Sequence, residues 1–513
     1  LLEEKGFKNP DAAYETLQIL RDGPPHSHLT RSSRRQLVRI APLLLQEILK
    51  SPEPDMALSN LDQFMTTAVR RARGTFYALL AENREIITVL ISLFSTSQFL
   101  SRIFIQHPEN LDALVSFSAG MEIKDRQTVE KDLAKQLAQV DNYEDKLEVL
   151  RRFRNEEFLR IAMGDTHGHT PQAELTAQLS YLADACLKQA FNIAREEMIP
   201  RFGLPFRKDT NQEAGFAIVA MGKHGGMELN YHSDLDIIFI YEGEGETRSV
   251  EGTETERFKP QTNPEYFARL AQRIISVLTL RTREGMVYQI DTRLRPSGNQ
   301  GPLVTSLAAY ERYHQQSAAL WERQALTKAR VVLGPEHMAA RIEKLNHRFV
   351  YETPVPQGLK EEIYRLRARM ETEIAKENEV HFNIKTGRGG MVDVEFIVQY
   401  LQILHGLEYP GLRSNNTLQA LNALHEANIL DRNDLDALES GYKFLRRLEN
   451  RLRLVHDQSI NELSGERDYL IKLARRLGYP DRPRRPDEVF LQEYRTVTER
   501  IRTIFERLLG PGS

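Results

Sequence analysis

Along most of the chain, apolar residues recur every three to four positions, the period of a helix with one buried face. Phe76, Leu79, Leu80, Ile86, Ile87 and Leu90 fall at that spacing, and Phe99, Ile103 and Phe104 repeat it up to a His107-Pro108 stop. Leu133, Leu137 and Val140 carry it on; after a polar break from Gly164 to Pro171, Leu175, Leu179 and Leu182 stand at i, i+4 and i+7. The period then changes. Residues 201–215 are polar, hold Gly203 and Pro205, and read as a connector. Residues 216–221 and 237–241 are short apolar runs, the mark of buried strands. Residues 242–263 are acidic, rich in Gly and Thr and aperiodic, which predicts a mobile surface loop. Phe267, Leu270, Ile274 and Val277 predict an amphipathic helix, and residues 286–294 a third strand. Helical spacing returns and is broken at Pro354 and Pro356; beyond them Leu435, Leu438, Tyr442, Leu445, Leu448 and Leu452 form one stripe. The expected fold is mainly α with a small α/β core.

Composition narrows the function. A length of 513 residues suits roughly three domains. Basic residues number 69 and acidic ones 72, a net charge of -3, so no global basic field exists to hold nucleic acid. The lone Cys186 excludes an internal disulfide framework and fits a reducing compartment. The most apolar short stretch, residues 86–94, is interrupted by Thr88 and Ser92 and falls far short of the ~20 residues of a membrane span. A cytoplasmic protein is expected, without a membrane role. The chain begins at Leu1 rather than Met and reads as a fragment of something longer.

The candidate chemistry lies between the first two predicted strands, in Met221-Gly222-Lys223-His224-Gly225-Gly226 and, after a short helical piece, Ser233-Asp234-Leu235-Asp236. Residues i and i+2 of a strand share a face, so Asp234 and Asp236 project two carboxylates about 7 Å apart. Two like charges held side by side repel, and a divalent cation removes that cost. On the third predicted strand Gln289, Asp291, Arg293 and Arg295 share one face, while Tyr288, Ile290, Thr292 and Leu294 share the other. If that strand lies beside the first pair of carboxylates, Asp291 completes a three-carboxylate site for Mg²⁺ or Mn²⁺. Gly225 and Gly226 offer backbone N–H groups to phosphate, Ser233 a hydroxyl, and Arg293 and Arg295 positive charge. Two-metal nucleotidyl transfer uses all of these parts.

These residues resemble those of the glutamine synthetase adenylyltransferase/adenylyl-removing family, and the likeness spans nearly the whole chain. Similar to the family's motifs are Gly222-Lys223, Gly225-Gly226 and Ser233-Asp234-Leu235-Asp236. So are Asp291-Thr292-Arg293-Leu294-Arg295-Pro296-Ser297-Gly298, Trp321-Glu322-Arg323-Gln324-Ala325-Leu326 with Lys328-Ala329-Arg330, and Gly389-Gly390-Met391-Val392-Asp393-Val394-Glu395-Phe396. The resemblance implies a DNA-polymerase-β-like nucleotidyltransferase domain flanked by helical domains, divided as 1–140, 141–335 and 336–513. It implies that Asp234, Asp236 and Asp291 are catalytic and hold the metal. Gly222, Lys223, Gly225, Gly226, Ser233, Arg293, Arg295 and Lys328 would then meet the nucleotide. ATP is the implied substrate, glutamine synthetase the protein acceptor, and the PII nitrogen-signalling protein and glutamine the effectors. Full-length members hold two such units and this chain shows one signature. The Asp-Thr-Arg-Leu-Arg-Pro-Ser-Gly motif favours the C-terminal, adenylylating half, whereas Lys385-Thr386-Gly387-Arg388-Gly389-Gly390 leans toward the half that removes AMP by phosphorolysis. A catalytically silent regulatory module is the third reading; the presence of all three carboxylates argues against it.

Other residues carry weaker expectations. Lys328 and Arg330 meet either phosphate or solvent. Lys385 and Arg388 form either a phosphate loop or an ordinary helix start. Glu395 and Gln399, at i and i+4, face the cleft or cap a helix. Asp165, His167 and His169 read as a solvated loop, Trp321 as core, and Arg446, Arg447, Arg451 and Arg453 as a solvated helix face.

Overall fold

Two strands at the middle of the chain organise everything around them. The computed structural model describes residues 2–3, 7–23, 30–67, 73–107, 123–166, 170–251, 253–254, 258–378 and 380–511. Strands β1 (Leu204–Arg207), β2 (Phe216–Ala220), β3 (Leu235–Tyr241), β4 (Gly245–Arg248), β5 (Ile290–Asp291), β6 (Val304–Ser306) and β7 (Arg330–Leu333) follow one another between long helices. The main sheet runs β5-β3-β2-β7, with β6 also paired to β3. Strand β2 is antiparallel to β3 and β7, whereas β3 is parallel to both β5 and β6.

Every residue of β2 is buried. The reason is that its two faces enter two different cores. Phe216 and Ile218, with Ile237, Phe239 and Tyr241 of β3, pack with the N-terminal helices and with the helices Gln172–Phe202 and Asn263–Thr279. Ala217 and Val219, with Ile238 and Ile240, meet the helices Leu307–Gln316 and Glu336–His347 and through them share one core with the C-terminal helices Met391–His405, Arg432–His456 and Pro486–Leu509. Burial on both faces turns the alternation of an ordinary strand into a continuous apolar run. Asp236 has the parity of Ile238 and Ile240, so its carboxylate faces the C-terminal body.

The mainly helical fold with a small α/β core is as expected, with three local corrections. The third strand is two residues long, not nine; residues on either side of Ile290 and Asp291 turn away from the ladder. The expected connector contains β1, and the expected mobile loop contains β4; the two pair antiparallel from Leu204↔Arg248 to Arg207↔Gly245. Strand β1 is Leu-Pro-Phe-Arg and β4 Gly-Glu-Thr-Arg; each is four residues long with one buried position, too short for a run or an alternation to read. The helix at Trp321 ends at Leu326, and Arg330 opens a strand. A further pair, β8 (His381–Asn383) and β9 (Glu462–Ser464), joins the segment before helix Met391–His405 to the one after helix Arg432–His456.

Candidate active site

After β2 the chain turns through a single helical turn, Gly222–Gly225, and returns as β3. Asp234 precedes β3 and is exposed. Asp236 lies in parallel register with Asp291 of β5. The three aspartates line one cleft of ≈ 490 Å³, whose opposite wall, from the C-terminal body, carries Lys385, Glu395, Phe396 and Gln399. Burial, then the charge of Asp291 and that of Asp234, push the Asp236 carboxyl up to about 6, although Lys385 and Lys223 act the other way.

The carboxylates share a cleft without closing on one point. Among the described residues, no three acidic, His or Cys side chains are grouped closely enough to hold a metal. Asp291 is instead turned onto Arg293, whose backbone N–H donates at 2.8 Å and whose Nε donates at 2.8 Å. Burial opposes the charge of Asp291, but these bonds to Arg293 hold its pKa below the usual carboxylate range. The donor set nonetheless fits a hard divalent ion: three carboxylates, one of them destabilised as an anion by its neighbours. Gly222 is part of the same fit. Its φ is +52°, and a Cβ there would stand 2.6 Å from Oδ2 of Asp236. Only glycine lets the backbone cradle that carboxylate.

The remaining expected residues divide into those that face the cleft and those used by the fold. Gly225 and Gly226 do not present free N–H groups: these donate to the carbonyls of Met221 at 2.9 Å and Gly222 at 3.0 Å. Their missing side chains make room for the backbone carbonyls of Lys328 and Asn415. Arg295 donates to the carbonyls of Thr292 at 2.8 Å and Pro302 at 3.0 Å, which fastens the loop after β5. The Ser233 hydroxyl accepts from the Asn230 N–H at 3.0 Å and from Arg453 at 2.9 Å. Lys328, neither solvated nor free, is buried against Glu228 and bonds Thr417 at 2.7 Å. Arg330 forks onto Asp184 at 2.9 and 3.0 Å. Lys223 lines the cleft but is paired with Glu449.

Glu449 was not legible as a site residue. It is wholly buried and receives Lys223, Arg446 at 3.0 Å and Arg453 at 2.8 Å. Burial works against its charge, but these three cations keep Glu449 ionised well below the usual range. The expected solvated arginine face is therefore mostly buried machinery: Arg446, Arg451 and Arg453 are all buried. On the other side Asp184 bonds His224 Nε2 at 2.7 Å as well as Arg330. Trp321, expected in the core, is 41% exposed and lines the cleft. Lys385, Glu395 and Gln399 line it too, while Arg388 is exposed and pairs with Glu499 at 3.3 Å. Asp393 is buried; it accepts from the Gly389 N–H at 2.8 Å and pairs with Arg367. His167 and His169 lie outside the described residues.

A glycine-cradled carboxylate at the head of a strand, reached through one tight turn and matched across a parallel neighbour, places the chain among nucleotidyltransferases of the DNA-polymerase-β type. The family model for glutamate-ammonia ligase adenylyltransferase matches residues 87–345, and that for GlnD PII-uridylyltransferase matches residues 358–509. Relatives named bifunctional glutamine synthetase adenylyltransferase/adenylyl-removing enzyme occur in Thioalkalivibrio sulfidiphilus, 32% identical over 93% of this chain and 49% of the relative, and in Pseudomonas putida, 32% identical over 90% and 48%. The one from Chromobacterium violaceum is 33% identical over 88% of this chain and 48% of its own length. The chain belongs to the glutamate-ammonia ligase adenylyltransferase family. It spans about half the length of the curated relatives it matches. No helix among the described residues is long and apolar enough to cross a membrane.

Proposed function

We propose that the chain transfers AMP from ATP to a tyrosine hydroxyl of glutamine synthetase, releasing pyrophosphate. The observation that carries this reading is the register of Asp236 with Asp291 at the wall of a cleft that Asp234 also lines. Asp234, Asp236 and Asp291 would hold Mg²⁺ or Mn²⁺, Asp291 by exchanging Arg293 for the ion. A bound divalent ion supplies charge neutralisation for the triphosphate and polarises the α-phosphate. The chain's own groups do the positioning, on which phosphoryl-type transfer chiefly depends. Lys385 gives the far wall a positive charge for the phosphates, and freed Arg293 supplies a second at the mouth. The exposed Trp321 offers a ring face to adenine. In the transfer the hydroxyl oxygen bonds the α-phosphorus, the bond to the pyrophosphate oxygen breaks, and the hydroxyl proton leaves toward the carboxylates.

The match of residues 358–509 to a PII-uridylyltransferase supports the PII protein as an effector of the same chain, with glutamine proposed beside it from the family resemblance alone. The lone Cys186, buried and free, suits the reducing cytoplasm. The family's second activity, removal of AMP by phosphate with release of ADP, is favoured by the Lys385-Thr386-Gly387-Arg388 segment, whose lysine faces the cleft. One assay separates the two. Unmodified glutamine synthetase is incubated with the chain, Mg²⁺ and ATP labelled in the α-phosphate. Label uptake, falling at least ~10²-fold in Asp236→Asn, is the expected result. No label uptake, together with phosphate-dependent release of ADP from pre-modified substrate, would assign the reverse reaction instead.

A further inference from the structure

A second cleft, ≈ 530 Å³, meets the nucleotide cleft at Asp234 and shares Ser233 and Ser459 with it. Its other walls come from the N-terminal helices and from the turn before β5. Arg154 is the unusual group in it. The residue is 6% exposed, and its guanidinium lies 4.2 Å from the centre of the Phe158 ring and 5.6 Å from that of Phe99. Its side-chain partners are neutral, Asn155 at 3.1 Å and the Tyr288 hydroxyl, and its Nε has no hydrogen-bond partner among the described residues. The nearby carboxylates are committed elsewhere: Asp457 to Arg102 at 3.0 Å, and Glu284 to His107 at 2.8 Å. Burial depresses the Arg154 pKa, as it must for a cation deprived of an anion. A second arginine, Arg281, stands exposed at the rim.

A buried guanidinium without a carboxylate is costly, and proteins keep such a group where a ligand brings the anion. The position of the cleft says which ligand. In an in-line displacement the attacking hydroxyl approaches phosphorus from the side opposite the leaving pyrophosphate. Nucleotide and acceptor must therefore reach the aspartates from different directions, and two clefts joined at Asp234 supply them. The volume exceeds what a free phosphate fills and suits several side chains. The aromatic and apolar wall of Phe99, Ile103 and Met286 suits a ring.

We propose that this cleft is the acceptor subsite and that it takes a tyrosine-bearing segment of the protein substrate with an acidic side chain close by, the carboxylate seating on Arg154 and passing Arg281 on entry. The inference rests on the nucleotidyl-transfer reading of the adjoining cleft, but its test does not require turnover. The probe is a fluorescent copolymer of glutamate and tyrosine, titrated into the full chain with Mg²⁺, and binding is followed by anisotropy. Saturable binding is expected, at least tenfold weaker in Arg281→Glu and in Arg154→Met, with Mg-ATP affinity measured by calorimetry changed less than twofold in either. Arg281 is exposed, so its variant reports even where Arg154→Met fails to fold. Unchanged copolymer affinity in Arg281→Glu, equal affinity for a copolymer of lysine and tyrosine, or a parallel loss of Mg-ATP binding overturns the subsite. Loss of AMP transfer with these affinities as expected would count against the proposed function alone.

Discussion

Gly222 and Asp236 show how small the margin at the proposed reacting centre is. A methyl group at position 222 would meet the carboxylate at 2.6 Å and force an L-residue to φ +52°. The backbone strain costs about 1–2 kcal/mol, a shift of a few degrees in melting temperature. Displacing a catalytic group by about 1 Å costs ~10²-fold in rate. Gly222→Ala is thus expected to stay folded in a thermal melt and to lose about two orders of magnitude of AMP transfer; a variant within threefold of the parent rate would refute the cradle. Trp321 gives the complementary case. Base stacking on an aromatic side chain is worth about 1–3 kcal/mol, so Trp321→Ala should raise the KM for ATP ~10-fold or more, while circular dichroism shows an unchanged melt. The two residues also differ in how well the sequence reports them. Asp234 and Asp236 were legible as neighbours in one cleft from their i, i+2 spacing, although Asp234 stands just before the strand and is exposed. Trp321 was not, since a tryptophan at helical spacing looks the same whether the face it sits on meets a core or a cleft.

At the scale of elements, the helix Arg432–His456 is the clearest instance of a segment whose polar residues were misread. Its apolar stripe was visible, and Leu435, Leu438, Tyr442, Leu445, Leu448 and Leu452 are all buried. Its arginines looked like a solvated face because nothing local reveals that the turn after β2 lies against them. Three cations converge on Glu449 there. Glu449→Gln leaves them buried without their anion, and breaking such a group costs roughly 3–5 kcal/mol; chemical denaturation at neutral pH measures it. The pH dependence has a definite sign. The pKa of Glu449 is lowered by folding from an unfolded value of about 4.3, so its contribution is complete above that pH and is lost as pH falls toward the folded value. Below about pH 4 the parent should lose stability faster than Glu449→Gln; parallel curves would remove Glu449 from the account. Strand β5 and the β1–β4 ribbon were poorly legible for a different reason. A two-residue ladder and a ribbon of two four-residue strands bury too little for any period to appear.

In the whole molecule the two family matches meet between residues 345 and 358, yet the packing does not part there. Ala217, Val219, Ile238 and Ile240 belong to the core of the C-terminal helices, although they lie in the stretch matched by the first model. A fragment ending at residue 345 would keep Leu307, Tyr310, Met338 and Ile342 in that core but strip away its other members, from Phe349 to Leu509. It is expected to bind a hydrophobic dye more strongly than the full chain; equal dye binding would contradict the shared core. The chain-level fold was readable because long helices announce themselves by period. The way the two helical bodies clamp one sheet was hidden, because it depends on contacts hundreds of residues apart, such as Lys223 with Glu449 and Asn416 with Gly226. The turn between β2 and β3 is bolted to one body through His224 and Asp184, and to the other through Lys223 and Glu449. Like a rivet through two plates, it registers any change in the tilt between them before the rest of the sheet does. Rocking one helical body against the other is therefore a direct mechanical handle on the geometry of Asp236.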